Sequence, residues 1–142
     1  MSFTGGCLCG AVRYQGQEQR GGGHCHCIDC RRTSGTAHGS HMIVPEAAFT
    51  ISGELRFFDA PADSGNMISR GFCPTCGSAV YSRTSAVPGT VFVRASSLDD
   101  PEVFRPQMIV YTKRAPSWDR MDPALPRFES MPPPEEIPYA AE

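Results

Sequence analysis

Apolar and polar positions alternate in short segments along this chain, and each segment ends at glycine, proline or a polar pair. Val12 and Tyr14 alternate with polar neighbours and stop at Gly16, and residues 42–44 stop at Pro45. A period of two is the signature of a strand with one buried face, so each segment predicts a β-strand. Phe49 and Ile51 lead into Ser52-Gly53, with Leu55 and Phe57 beyond, which predicts a hairpin turning at Ser52-Gly53. Residues 79–81 and 91–95 follow, separated by the turn signal Pro88-Gly89, and residues 108–111 form a last β-branched and aromatic run. No window repeats apolar residues at helical spacing over several turns. The expected fold class is therefore mostly β, with one short helix after Cys27.

Two stretches depart from the strand pattern. Gly21-Gly22-Gly23 runs straight into His24 and is expected to be a flexible approach that lets the backbone bend. Residues 115–142 hold seven of the thirteen prolines, punctuated by Trp118, Phe128 and Tyr139. A lone tryptophan is rarely left on a free tail, so the chain from about 115 to Phe128 is expected to wrap the domain as an irregular strap. At 142 residues the chain fits one domain, taken as 1–128, followed by a Pro-rich, partly disordered tail over 129–142.

Charge narrows the function. Thirteen basic residues stand against fifteen acidic ones, for a net charge of -2, and Lys113 is the one lysine. A protein that binds nucleic acid by neutralising phosphates carries a basic surplus, so a nucleic-acid partner is not expected. No apolar run is long enough to span a bilayer, and the start of the chain lacks the basic and apolar regions of a signal peptide, so a cytoplasmic protein without a membrane partner is expected. In that compartment seven clustered cysteines point to metal or redox chemistry rather than to disulfides.

The cysteines fall into three groups: Cys7-Leu8-Cys9-Gly10, Cys25-His26-Cys27-Ile28-Asp29-Cys30 and Cys73-Pro74-Thr75-Cys76-Gly77. The last is a zinc-knuckle spacing: proline fixes one turn dihedral, glycine tolerates the twist that follows, and two thiolates converge. A redox reading of Cys-x-x-Cys would need a βαβ context that the strand pattern lacks. Structural zinc takes four ligands, and Cys7 with Cys9 is the preferred second pair. A ribbon that joins Cys27 and Cys30 to Cys73 and Cys76 is the rival pairing, and it would orphan three thiols. With the first pairing, Cys25, Cys27 and Cys30 remain as three ligands for a second ion with its fourth position open, the arrangement of catalytic zinc. The competing arrangement fills that position with His24, His26 or a distant residue and makes the site inert.

Arg31 and Arg32 follow the third thiol, and at least one is expected to point back at the metal or to hold a substrate carboxylate by paired hydrogen bonds. Ser34 is a candidate donor to a sulfur or a ligand. His38 and His41 are expected to be surface or satisfied core residues, and Asp29 a helix-capping residue.

At these residues the sequence resembles the glutathione-dependent formaldehyde-activating enzyme family. The resemblance rests on residues 6–14 (GCLCGAVRY), on Cys25-His26-Cys27 through Cys30-Arg31-Arg32, and on residues 70–78 (RGFCPTCGS). It implies a β-tent of antiparallel sheets, a fold shared with Rab-associated nucleotide-release chaperones and B-type methionine-sulfoxide reductases. It further implies a structural zinc on Cys7, Cys9, Cys73 and Cys76, and catalytic zinc ligands at Cys25, Cys27 and Cys30. Two zinc ions per chain are thus expected. The implied activity is that of a carbon–sulfur lyase run towards synthesis, joining an aldehyde, formaldehyde, to a small-molecule thiol, glutathione. The alternative is a non-catalytic zinc-binding β-tent module acting as a chaperone or adaptor, which has no need of the second cysteine group.

Overall fold

The computed structural model describes residues 2–136; Tyr139 and the end of the expected tail lie outside them. The chain forms two compact units, one built from the chain up to Gln19 with Ile43–Val103, the other from Arg20–Met42 with the chain from Phe104 onward.

In the first unit, β1 (Phe3–Gly6) pairs antiparallel with β2 (Arg13–Gly16). The period-two pattern read for β2 is seen directly, since Tyr14 and Gly16 are buried and Arg13 and Gln15 exposed. The other edge of β2 pairs with β5 (Phe49–Ser52), Arg13 standing opposite Ser52. A four-stranded antiparallel meander completes the unit: β6 (Arg56–Pro61), β7 (Met67–Phe72), β8 (Ala79–Thr84) and β9 (Thr90–Arg94).

The hairpin expected across Ser52-Gly53 is not formed. β5 pairs with β2 and β6 with β7, so the chain leaves one sheet for another at that turn. Gly53 has φ +96°, and a Cβ there would lie 2.1 Å from the Ala11 carbonyl oxygen. The turn is therefore pressed against the chain that enters β2, and β5 continues along β2 instead of folding back on itself. Local alternation predicted both strands but carried no information on their partners.

Aromatic contacts tie the two sheets of this unit together. Ring centroids run from Phe3 to Tyr14 (6.3 Å), Tyr14 to Phe49 (5.2 Å), Phe49 to Tyr81 (5.4 Å) and Tyr81 to Phe57 (5.7 Å). Buried Tyr14 keeps its hydroxyl satisfied by Ser97 Oγ at 2.6 Å. Burial pushes the Tyr14 phenol up to about 12, the Ser97 hydrogen bond opposing this only in part. The folded state thus holds this proton more tightly than the unfolded chain. Its contribution is complete below the unfolded value near 10 and is lost as pH rises through about 12. Tyr14→Phe is expected to lower stability at neutral pH by about 1 kcal/mol and to flatten the alkaline decline, as measured by urea unfolding at a series of pH values.

The second unit contains β3 (Gly22–Cys25), the helix α1 (Ile28–Ser34), β10 (Ile109–Val110) and, through Met42, the first part of β4 (Gly39–Pro45). β3 runs antiparallel to β4 and parallel to β10, which makes this sheet mixed. Of the three glycines before His24, Gly22 and Gly23 are part of β3 rather than the flexible approach expected of them, and Gly21 precedes the strand. A Cβ at Gly22 would lie 1.9 Å from the His41 carbonyl oxygen, so glycine here serves close backbone approach. Further along, Pro126 O accepts from Ile109 N–H, and Phe128 N–H donates to Ile109 O. Trp118 itself is 70% exposed. The mostly β class, and one α-helix among the described residues, are as the sequence predicted. Among the described residues no helix is long and apolar enough to cross a membrane.

Candidate metal centres

None of the seven cysteines forms a disulfide. Within the first unit the Sγ atoms of Cys7, Cys9, Cys73 and Cys76 all lie within 4.8 Å of one another. Cys7 and Cys9 are 3.6 Å apart, and Cys9 and Cys73 3.8 Å. Four sulfurs tetrahedrally disposed at ~2.3 Å from one zinc stand about 3.8 Å from each other, so the spacing fits a metal.

Two local turns build this arrangement. At the first, Cys7 N–H donates to Val12 O while Val12 N–H donates back to Cys7 Sγ at 3.2 Å. At the second, Cys73 N–H donates to Ser78 O and Gly77 N–H to Cys73 O, with Gly77 at φ +78°. That left-handed conformation is why glycine follows the knuckle. Ser78 links the turns, its Oγ accepting from Leu8 N–H and lying 3.2 Å from Cys76 Sγ.

The charges of these thiols are unequal. Hydrogen bonding from the Ser78 hydroxyl and amide brings Cys76 down to about 5. At Cys9 the Ala11 amide acts in the lowering direction but is outweighed by the neighbouring thiols and burial, which push it up to about 11. Four thiolates at such separations need a cation between them, and the donor set suits a soft or borderline ion such as zinc.

In the second unit Cys25, Cys27 and Cys30 also bring their sulfurs within 4.8 Å of one another. Cys25 ends β3, Cys27 is the N-cap of α1, and Cys30 lies in its first turn. Cys27 Sγ accepts from Cys30 N–H at 3.2 Å, the bond a Ser or Asp cap would make, so the helix start itself brings these two sulfurs together. Cys25 and Cys30 are buried with Met108 and Val110, and Cys27, Tyr111 and Phe128 pack against them. Cys27 alone of the three is half-buried. The sulfurs of Cys27 and Cys30, followed by burial, push the Cys25 thiol strongly upward, so a cation among the three sulfurs would favour their thiolate forms. Three convergent sulfurs fit a metal with one position left for another ligand. Tyr111, beside them, is the one non-glycine residue with positive φ (57°) among the described residues.

The structure gives the flanking residues mixed roles. Arg31 is half-buried, and its guanidinium makes no hydrogen bond or ion pair among the described residues. Its carbonyl accepts from Gly35 N–H and from Ser34 Oγ. Ser34 therefore closes the helix rather than reaching a sulfur. His41, expected to have no site role, places Nε2 3.4 Å from Cys30 Sγ. His24 has Nδ1 2.8 Å from Ser40 Oγ, and burial together with the His38 and His26 rings pushes it down to about 4.

A third cluster escaped the sequence reading. His26 Nε2 and His38 Nδ1 both lie 2.7 Å from Asp119 Oδ2, with His26 completely buried. Burial acts to raise the Asp119 carboxyl, but the hydrogen bonds from His38 and His26 prevail and hold it below its usual value. The carboxylate is therefore ionised and can only accept, so His26 carries hydrogen on Nε2 and His38 on Nδ1. His26 Nδ1 is buried with no hydrogen-bond partner among the described residues. A metal on Nε2 would move the ring hydrogen to Nδ1 and leave a buried donor without an acceptor, whereas ligating histidines almost always donate from the second nitrogen. These three side chains form a hydrogen-bonded network rather than a third metal centre. Excess histidine between 24 and 41 was the only signal in the sequence, and nothing there pointed to a partner 93 residues on.

Residues 2–114 match the family model described as glutathione-dependent formaldehyde-activating enzyme. No curated protein matches the chain. Among solved structures, a Rhodobacter sphaeroides protein from a structural-genomics programme is similar at 17% identity and a TM-score of 0.57, over 88% of this chain and 98% of that one. At that identity the likeness concerns the fold.

Proposed function

The chain belongs to the glutathione-dependent formaldehyde-activating enzyme family, and from that premise we propose that it is a zinc-dependent thiol-adduct enzyme of the carbon–sulfur lyase class. The reaction is addition of the glutathione thiol to formaldehyde. A carbon–sulfur bond forms, the carbonyl π bond opens, and the thiol proton ends on the former carbonyl oxygen, giving S-hydroxymethylglutathione. The observation that carries this reading is the second cluster: three sulfurs gathered at one point, with half-buried Cys27 at its accessible side.

In this reading Cys7, Cys9, Cys73 and Cys76 hold a structural zinc, and Cys25, Cys27 and Cys30 a catalytic one. Zinc at the second cluster would keep a substrate thiol as thiolate near neutral pH, a task that an ion already carrying three thiolates performs better than carbonyl polarisation. Cys25 and Cys30, buried with Met108 and Val110, fix the position of the site and exclude water on that side. Arg31, next in sequence to Cys30 and with no side-chain hydrogen bond or ion pair among the described residues, would take a substrate carboxylate by two parallel hydrogen bonds. The domain assignment, 1–128 with a tail over 129–142, belongs to the same proposal, as does the cytoplasm as the place where these thiols stay reduced.

Elemental analysis with thiol alkylation tests the metal part of this reading. Two zinc ions per chain are expected, with all seven thiols protected from alkylation until a chelator is added. One zinc per chain, with Cys25, Cys27 and Cys30 freely alkylated, would favour the non-catalytic chaperone or adaptor instead.

A further inference from the structure

His26 stands between two of the three thiols of the second cluster, yet its ring serves none of them. Its main-chain N–H donates to Val110 O at 3.1 Å, and its Nε2–H donates to Asp119 Oδ2 at 2.7 Å. The same oxygen accepts from His38 Nδ1–H, also at 2.7 Å. A residue anchored at its amide and at its ring tip cannot turn without moving its neighbours on both sides. Here those neighbours are Cys25 and Cys27. The carboxylate that closes the arrangement comes from beyond residue 114, where the family match ends.

We propose that Asp119 is a positioning residue of the second cluster: by accepting from both imidazoles it holds His26 in one tautomer and orientation, and so fixes the Cys25-His26-Cys27 backbone from which two of the three thiols project. The proposal rests on the reading of that cluster as a metal site. It gives the segment after 114 a share in building the site, and it explains why a fully buried histidine sits between two cysteines. The His26–His38 ring separation of 5.5 Å and the 4.9 Å contact of His38 with His24 add packing that keeps both donors aimed at the carboxylate.

The test compares the full chain with Asp119→Ala and Asp119→Asn after loading with cobalt(II), whose sulfur charge-transfer bands report each thiolate site during chelator competition. Groups that hydrogen-bond a metal ligand directly are worth roughly 10–100-fold in metal affinity, and Asp119 acts one residue removed, through His26. Asp119→Ala is expected to weaken retention at the three-thiol cluster by about tenfold, the low end of that range, and to leave the four-thiol cluster at the wild-type affinity. Asp119→Asn, whose amide oxygen still accepts, is expected to recover part of the loss. Nitrogen-15 spectra of the imidazoles should show His26 as the Nε2–H tautomer in the wild type and a tautomer mixture in Asp119→Ala. Equal weakening of both clusters, or an unchanged three-thiol affinity, would overturn the proposal. If the wild type binds a single metal, the functional reading fails, and alkylation then decides the positioning role. Faster labelling of Cys25 and Cys27 in Asp119→Ala, with Cys73 unchanged, supports it, and unchanged rates reject it.

Discussion

Cys73→Ser is expected to leave the first unit unfolded under conditions where the wild type is native. Cys73 is 1% exposed, its amide and carbonyl both close the knuckle turn, and its sulfur lies 3.8 Å from that of Cys9. The two halves of this cluster come from positions 64 residues or more apart, so a metal there ties the start of β2 to the end of β7. Structural zinc in small peptides contributes ~10–16 kcal/mol of apparent binding energy at neutral pH, while whole domains are stable by about 5–15 kcal/mol. Losing most of that binding exceeds what burial of short strands can offset. Circular dichroism of the variant, read with its zinc content, should show one metal lost together with the cooperative transition. Chelator added to the wild type should give the same result. A variant that keeps both the transition and its midpoint would show that the four sulfurs are not a structural metal site.

The second large effect is expected at Cys27→Ser and is of the opposite kind. A serine hydroxyl can accept from Cys30 N–H as the sulfur does, and serine is among the best N-cap residues, so α1 should persist. What disappears is one of the three proposed ligands, at a half-buried position. A bound metal supplies several kcal/mol of transition-state stabilisation, and each 1.36 kcal/mol is tenfold in rate. Loss of more than about 100-fold in adduct formation is therefore expected, with the unfolding transition nearly unchanged and one zinc retained. Similar losses in folding and activity would mean that the two clusters do not divide the labour between them.

The two variants separate along the line that the cysteine spacing drew. The sulfurs group as four and three, the division read from the cysteine spacing, and within each run that closeness was legible because it is short-range information, while their role as ligands belongs to the proposal. Strand periodicity at Tyr14, Phe49 and Val91 was equally legible, and so was the capped helix after Cys27. Pairing was not. Alternation at Phe57 says that a face is half-buried but not which strand lies opposite, and the supposed hairpin partner of β5 turned out to be β7's neighbour. β1 and β7 went unseen because Gly5, Gly6 and Gly71 interrupt their apolar pattern. The histidine network was hidden for a related reason. His26 and His38 look alike in sequence to any solvated or packed histidine, and their partner, Asp119, sits in a proline-rich stretch with no pattern of its own.

The central claim is that the three-thiol cluster forms a thiol adduct, and exchange spectroscopy on formaldehyde and glutathione tests it most directly. With protein carrying two zinc ions per chain, exchange between free glutathione and S-hydroxymethylglutathione is predicted to accelerate in proportion to protein concentration. Exchange that stays at the spontaneous rate in the presence of fully metallated protein would contradict the account.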